Sequence, residues 1–351
     1  MQKNNYFELT TVQQRTILEQ TAIKQGLPKQ AIEKDLWVTT ILQILFSIPC
    51  ADNLVFKGGT SLSKVWRQIN RFSEDIDLAI DRAVFELEGD LTKKQVKKLR
   101  KASSCFVRDN LSLQLSNAIA LTPLKEMCLI ETEPDGVGDG NDVNSLVYPE
   151  PRSIFVNYNS VFDDKLNYIS PVVKIEVGAR SLLEPYAETT ITSMVEETLP
   201  TICTTLVDVK VKTAIAEKTF LEKAFLLHEL FSVNEIVDAN RRSRHMYDLY
   251  MMMQNGIAKT AISDDNLWET IRQHRSMLTS IKGVDYTKEI RDDIKLVPSS
   301  SNNITNWWDD YENMADSMIY KNPPDFWVII ENMQFLQKMF KDRNDNKEKN
   351  V

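Results

Sequence analysis

The sequence predicts an α+β protein, with strands and helices over residues 1–204 and helices over residues 205–341. Three observations predict it. Leu54-Val55-Phe56 is a short apolar run suited to a buried strand, Gly58-Gly59 allows a tight turn, and Thr60-Ser61 caps a helix through Leu62, Val65 and Trp66 before a second strand ends at Asp81. Residues 153–159 and 168–177 alternate as strands do, with Val173, Ile175 and Val177 on one face and Lys174 and Glu176 on the other. From residue 205 the spacing turns helical: Ala214, Ile215, Lys218, Phe225 and Leu226 lie along one helix, and Leu230, Met246, Leu249, Tyr250 and Met253 continue the apolar stripe.

The remaining elements follow in order. Thr11 with Gln14 makes a capping box for a helix through Leu18 and Ala22, ended by Gly26 and Pro28, and a second helix carries Ile32, Leu36, Ile41 and Leu45. Residues 92–100 are helical, residues 112–130 give no clear pattern, and residues 131–150 read as loop. Within that loop Gly136, Gly138 and Gly140 alternate with Asp135, Asp139 and Asp142, without the ligand spacing of an EF-hand, so a surface turn is expected rather than a calcium site. Trp307, Trp308 and Tyr311 fall at helix spacing with Met314 and Met318 and read as core, stacking on bases being the other reading. The charged residues 342–351 are expected to fray.

Composition narrows the function classes. A chain of 351 residues, 42% hydrophobic and 26% charged, buries a substantial core and divides into about two domains. No signal peptide pattern opens it, and the most apolar stretch, residues 36–49, is interrupted by Thr39, Thr40, Gln43 and Ser47; a soluble, cytoplasmic protein is expected. Cys50, Cys105, Cys128 and Cys203 are scattered, which indicates reduced thiols and neither a zinc knuckle nor a disulfide framework. A net charge of −8 argues against gripping nucleic acid over a wide surface. Local basic runs remain at Lys93, Lys94, Lys97, Lys98, Arg100 and Lys101, and at Arg241, Arg242 and Arg244; the first reads as a solvated helix face ahead of a nucleic-acid contact.

The chemistry concentrates between Lys57 and Asp81. Asp75 and Asp77 are two apart on a strand, hence on one face, while Ile76, Leu78 and Ile80 take the core. Two anions side by side repel unless one is protonated or a divalent cation lies between them. The strand–glycine–helix start upstream directs backbone N–H groups and the positive end of a helix dipole at one place, which suits phosphate, although the Walker A spacing is absent. A GG turn alone is ordinary, and so is a D-x-D on a solvent-facing strand. Together they form one unit that sets a phosphate cradle beside an acid pair.

These residues resemble the polymerase-β-type nucleotidyltransferases, and specifically the AbiEii/MenT group of bacterial toxins from abortive-infection and toxin–antitoxin systems. The likeness rests on the GG-T-S turn with S-E-D-I-D-L and extends to residues 32–39 (I-E-K-D-L-W-V-T), residues 173–177 (V-K-I-E-V), Ala216-Glu217-Lys218 and residues 244–250 (R-H-M-Y-D-L-Y). It departs from the family pattern at His245, where the family usually has Asp, and at Glu176, where Asp is frequent.

The resemblance implies a polymerase-β-like mixed sheet with flanking helices and a C-terminal helical domain, divided as 1–204, 205–341 and a tail at 342–351. It implies an enzyme that transfers NMP from an NTP to an acceptor hydroxyl, an RNA 3′ end with tRNA foremost, as the toxin of a phage-defence system restrained by an antitoxin. Asp75, Asp77 and Glu176 would be the ligands of two Mg²⁺. Lys57, Gly58, Gly59, Thr60, Ser61, Lys64, Ser73 and Lys218 would bind the nucleotide, and Asp248 would sit in the catalytic group. Read from the residues alone, Glu176 is a solvent-facing strand residue, Lys218 an exposed lysine, and Arg244 with Asp248 a surface ion pair four residues apart. Modification of a protein hydroxyl by adenylylation or phosphorylation, and a non-catalytic nucleotide-binding module, are the alternatives. His228 and His274 have no partner at ligand spacing and read as packed or surface imidazoles, and His245 among arginines is expected to be neutral.

Overall fold

The computed structural model describes residues 4–137, 146–163, 169–233, 238–299 and 301–348. The chain divides into two compact units: one is made of Met1–Val65 with Ser73–Ala214, the other of Trp66–Phe72 with Ile215–Val351. The turn between the two halves of the acid-bearing motif is therefore shared out, and residues 66–72 belong with the C-terminal helices.

In the first unit the strands are β1 Asn4–Asn5, β2 Leu54–Lys57, β3 Ile76–Ile80, β4 Cys128–Thr132, β5 Gly136–Val137, β6 Leu146–Val147, β7 Arg152–Tyr158, β8 Val172–Gly178, β9 Tyr186–Thr189, β10 Ile202–Cys203 and β11 Val211–Ala214. Seven of them form a mixed sheet in the order β4-β7-β8-β3-β2-β11-β9, with β3/β8 and β2/β11 parallel and the other pairs antiparallel. The helices are α1 Thr11–Gln25, α2 Lys29–Leu45, α3 Gly58–Lys64, α4 Lys93–Phe106, α5 Ser112–Ala120 and α6 Met194–Thr198.

Alternation in the strands separates two sheet faces. Leu54, Phe56, Ile76, Leu78, Ile80, Ile154, Val156, Val173, Ile175 and Val177 are all buried, and α2, α4 and α5 pack onto this sheet. Helix α2 is buried nearly all round, which its mixture of Ile32, Leu36, Ile41 and Leu45 with polar residues does not suggest. Its charged residues are absorbed by specific partners. Glu33 accepts from Ser160 Oγ (2.6 Å) and Val161 N (2.8 Å), and Asp35 accepts from Met194 N (2.7 Å).

In the second unit the helices are α7 Ala216–Val233, α8 Ser243–Gln254, α9 Ile257–Ser263, α10 Asp265–Leu278, α11 Ser301–Met318 and α12 Phe326–Glu348. Trp307, Tyr311, Met314 and Met318 are buried, as helix spacing predicts, while Trp308 is 42% exposed. Residues 66–72 join this unit through Phe72 N to Met318 O (2.7 Å) and Tyr320 N to Asn70 O (3.3 Å).

Several expectations change: α3 begins at Gly58 with Lys57 at its N-cap, so Thr60 and Ser61 lie inside the helix and do not cap it, and the short strands β5 and β6 form within the residues expected as loop. The first helix is capped one residue earlier, by Thr10 with Gln13, because Thr10 keeps the extended backbone an N-cap needs. Residues 112–120 are helical, continuous with α4 through a π-helical turn at Val107–Leu111. The helical half starts later than its periodicity suggests, since β11 first pairs with β2 and β9 and places Ala214 in the sheet. Gly138, Gly140, Asp139, Asp142 and the start of the strand expected at residue 168 lie outside the described residues. Among the described residues no helix is long and apolar enough to cross a membrane.

Candidate active site

The site in the first unit is built by the turn from β2 into α3. Lys57 ends β2 and stands at the N-cap of α3 without a side-chain cap, so the first-turn N–H groups receive no capping oxygen from it. Gly58 follows with φ +80°, and a Cβ there would fall 2.0 Å from Asp77 Oδ2. Glycine is required at this position twice, by the left-handed backbone and by the carboxylate lying against it. Thr60 donates its hydroxyl proton to the Asp75 carbonyl (2.5 Å), so Ser73 donates to Thr60 Oγ1 (2.9 Å). Ser61 donates to the Gly58 carbonyl (2.8 Å). These hydroxyls shape the turn and tie it to the start of β3.

Strand register then aligns the site. Lys57 is the partner of Asp77 across β2/β3, Asp77 of Glu176 across β3/β8, and Glu176 of Ser153 across β8/β7. Side chains of register partners share a face, so Lys57, Asp77, Glu176 and Ser153 form one row across four strands, on the face away from Ile76, Leu78, Ile175 and Val177. Burial disfavours ionisation of Glu176, but the Lys174 ammonium, which is ion-paired to it, and a hydrogen bond with Asp77 outweigh this and hold its carboxyl below the usual range. Asp75 lies just before β3 and acts on Lys174 and on buried Lys34 through its charge.

The donors in this row are hard carboxylate oxygens of the kind Mg²⁺ prefers. As register partners on adjacent strands, Asp77 and Glu176 lie close enough for both carboxyls to meet one cation. Among the described residues, however, no three His, Cys, Asp or Glu side chains gather as a ready metal cluster. The pair Asp77–Glu176 fits a divalent cation, with Asp75 beside it in sequence and field.

Lys64 is placed differently from the phosphate-facing position its spacing from Thr60 suggests. Its ammonium donates to Asp35 Oδ1 (2.5 Å) and the Thr192 carbonyl (3.3 Å), with both charged side chains buried, so it ties α3 to α2. Lys34 and Asp35 entered the sequence reading only within the 32–39 likeness, with no role given to either. The available signal was a charged triplet, residues 33–35, leading into a mostly apolar stretch.

In the second unit Lys218 is buried rather than exposed, its Nζ 3.4 Å from Glu222 Oε1 one turn on. Asp248 is completely buried and pairs not with Arg244 but with Arg71, through both oxygens (2.7 and 2.8 Å), and with Lys223 (3.0 Å). Burial would raise the Asp248 pKa; Arg71 and Lys223 overcome that and hold the carboxyl far below the usual carboxylate range. Burial also lowers the Lys223 pKa, which Asp248 partly offsets. His245 Nδ1 lies 3.4 Å from Lys223 Nζ, and burial with the nearby Lys223 and Arg244 charges keeps the imidazole neutral, in agreement with its sequence context. Arg71 was missed by sequence reading because nothing local marks it.

This arrangement of sheet and helices is that of a nucleotidyltransferase fold. The chain resembles the solved structure of the MenT4 nucleotidyltransferase toxin from Mycobacterium tuberculosis H37Rv, with a TM-score of 0.50 and 15% identity over 96% of this chain and 90% of that one. The family model for the nucleotidyl transferase AbiEii toxin of type IV toxin–antitoxin systems matches residues 41–332, and the chain belongs to that family. A search of curated proteins gives no match.

Proposed function

We propose that this nucleotidyltransferase toxin transfers NMP from an NTP to an acceptor hydroxyl at an RNA 3′ end, tRNA being the acceptor class the family resemblance favours. The reaction belongs in the cytoplasm, where NTP and RNA meet, with growth arrest as its outcome in phage defence and a cognate antitoxin as its restraint. The row of Lys57, Asp77, Glu176 and Ser153 beside the Gly58 turn is the observation that carries this reading.

In this reading Gly58 and Gly59 let the triphosphate approach the backbone, and Thr60, Ser61 and Ser73 keep the turn in shape through their bonds to the Asp75 and Gly58 carbonyls. Lys57 places a positive charge next to Asp77 for the nucleotide phosphates. Asp75, Asp77 and Glu176 would hold Mg²⁺, two ions by the resemblance, which supplies Lewis-acid polarisation of the phosphates and neutralises their charge. Lys218 and Asp248 are assigned by resemblance to the nucleotide and the catalytic group. For Asp248 the role consistent with its bonds is to position Arg71 and Lys223. Lys64 serves by holding α3 against α2.

The test is transfer of label from each of the four α-labelled NTPs, with Mg²⁺, onto total cellular RNA and onto lysate protein, comparing the native chain with Asp77→Ala. Label on RNA with native protein alone supports the reading. Label on protein, or, in a parallel assay with γ-labelled NTP, retention of that label by the acceptor, overturns it in favour of protein modification or phosphoryl transfer.

A further inference from the structure

Helix α4 contains Lys93, Lys94, Lys97, Lys98, Arg100 and Lys101 and no acidic residue. All six are exposed, and among the described residues none has an acidic partner; Lys101 lies 4.9 Å over the Tyr148 ring. Such a run is normally laced with acids when its only task is solvation. The helix is held in place from its other side. Leu99, Ser103 and Ser104 are buried, Phe106 meets Phe85 edge-on at 5.8 Å, and Ser104 Oγ accepts from Arg152 Nε at 2.8 Å.

That last bond fixes which side of the sheet α4 covers. Arg152 is the register partner of Val177 and so lies on the face opposite Glu176. The basic ridge is therefore anchored behind the carboxylate row, within the same compact unit. In a chain of net charge −8, a polyanion is repelled in general, and an unpaired ridge spanning about 12 Å of helix axis is where phosphates gain most.

We propose that α4 is a docking ridge for the phosphate backbone of a folded RNA, holding the body of the acceptor at a distance from its reacting end. The inference rests on the RNA-acceptor reading above. It requires the chain to prefer long folded RNA over a short oligonucleotide that reaches only the carboxylate face.

The experiment measures binding of total tRNA to the full-length protein across a salt series. The variants are Lys93→Gln, Lys94→Gln, Lys97→Gln and Lys98→Gln combined, and, for equal charge change elsewhere, Lys24→Gln, Lys259→Gln, Lys282→Gln and Lys338→Gln combined. The α4 variant should bind at least about tenfold more weakly, with the log–log salt slope shallower by about 3. The control variant and a short 3′-end oligonucleotide should show little change. Equal losses in both variants, or none in either while the native chain binds RNA, overturns the ridge and leaves the RNA-acceptor reading standing. No RNA binding by the native chain overturns both, and α4-dependent capture of polyglutamate without RNA binding reassigns the ridge to an acidic protein.

Discussion

Asp77 and Glu176 are register partners across the parallel β3/β8 pair and face the same side of the sheet, although they lie 99 positions apart in the chain. Neither strand alone would hold two carboxyls this way; the register does. If this pair is the catalytic centre, Asp77→Asn and Glu176→Gln should each lower nucleotide transfer by ~10²–10³-fold with an unchanged unfolding midpoint, since each removes charge stabilisation without removing volume. Single-turnover assays with α-labelled NTP and thermal denaturation measure the two quantities. Full activity in either variant would remove its carboxylate from the mechanism.

Gly58 gives a separate check on the same geometry. Alanine there meets Asp77 Oδ2 and must adopt φ +80°, a strain of about 1–2 kcal/mol. The expected result for Gly58→Ala is a melting temperature lower by a few degrees together with a disproportionate loss of transfer, because relieving the clash moves Asp77 out of its row. Gly26, also at positive φ but with nothing near its Cβ direction, is the control: Gly26→Ala should lose stability and keep activity.

The second unit stands or falls on Asp248. Removing one partner from a buried ion pair leaves an uncompensated charge, worth about 3–5 kcal/mol. Urea unfolding of Arg71→Met should show a loss towards the lower end of that range, because Lys223 still pairs with Asp248, and the double variant Arg71→Met with Asp248→Leu should be less destabilised than the sum of the two single changes. Strict additivity would mean the two side chains do not interact.

A pH dependence follows from His228 in α7. Burial, chiefly, lowers its pKa to about 4, and its Nδ1 accepts from Lys295 N (3.1 Å). The unfolded chain takes up the proton near pH 6.5, before the folded one does, so stability falls as pH drops from about 6.5 to 4, by at most ~3 kcal/mol from this group. Comparing native protein and His228→Gln by urea unfolding at pH 7 and pH 4.5 isolates the effect. The native chain should lose more stability than the variant, and parallel losses would show that His228 titrates normally.

Much of the candidate site's local framework was legible because it is local. The GG-T-S turn, the return strand and the alternation of Asp75 and Asp77 against Ile76, Leu78 and Ile80 all lie within 25 residues, where strand period and glycine stereochemistry suffice. Lys64 shows the limit of that reasoning: helix spacing put it near Thr60, but its charge is satisfied by Asp35, a residue 29 positions away on α2. The same limit hid Arg71, whose partner is 177 residues downstream.

The amino-acid sequence by itself determined the elements of the first unit around the motif, the helical character of most of the second, and the acid-bearing strands, since period and turn chemistry act over a few residues. Only the tertiary structure decided that Glu176 stands opposite Asp77, that β11 enters the sheet before the helices begin, and that Asp248 binds Arg71 and not Arg244. Register and burial cause the difference: a carboxylate chooses its cation by which charge shares its desolvated space, and chain proximity does not fix that.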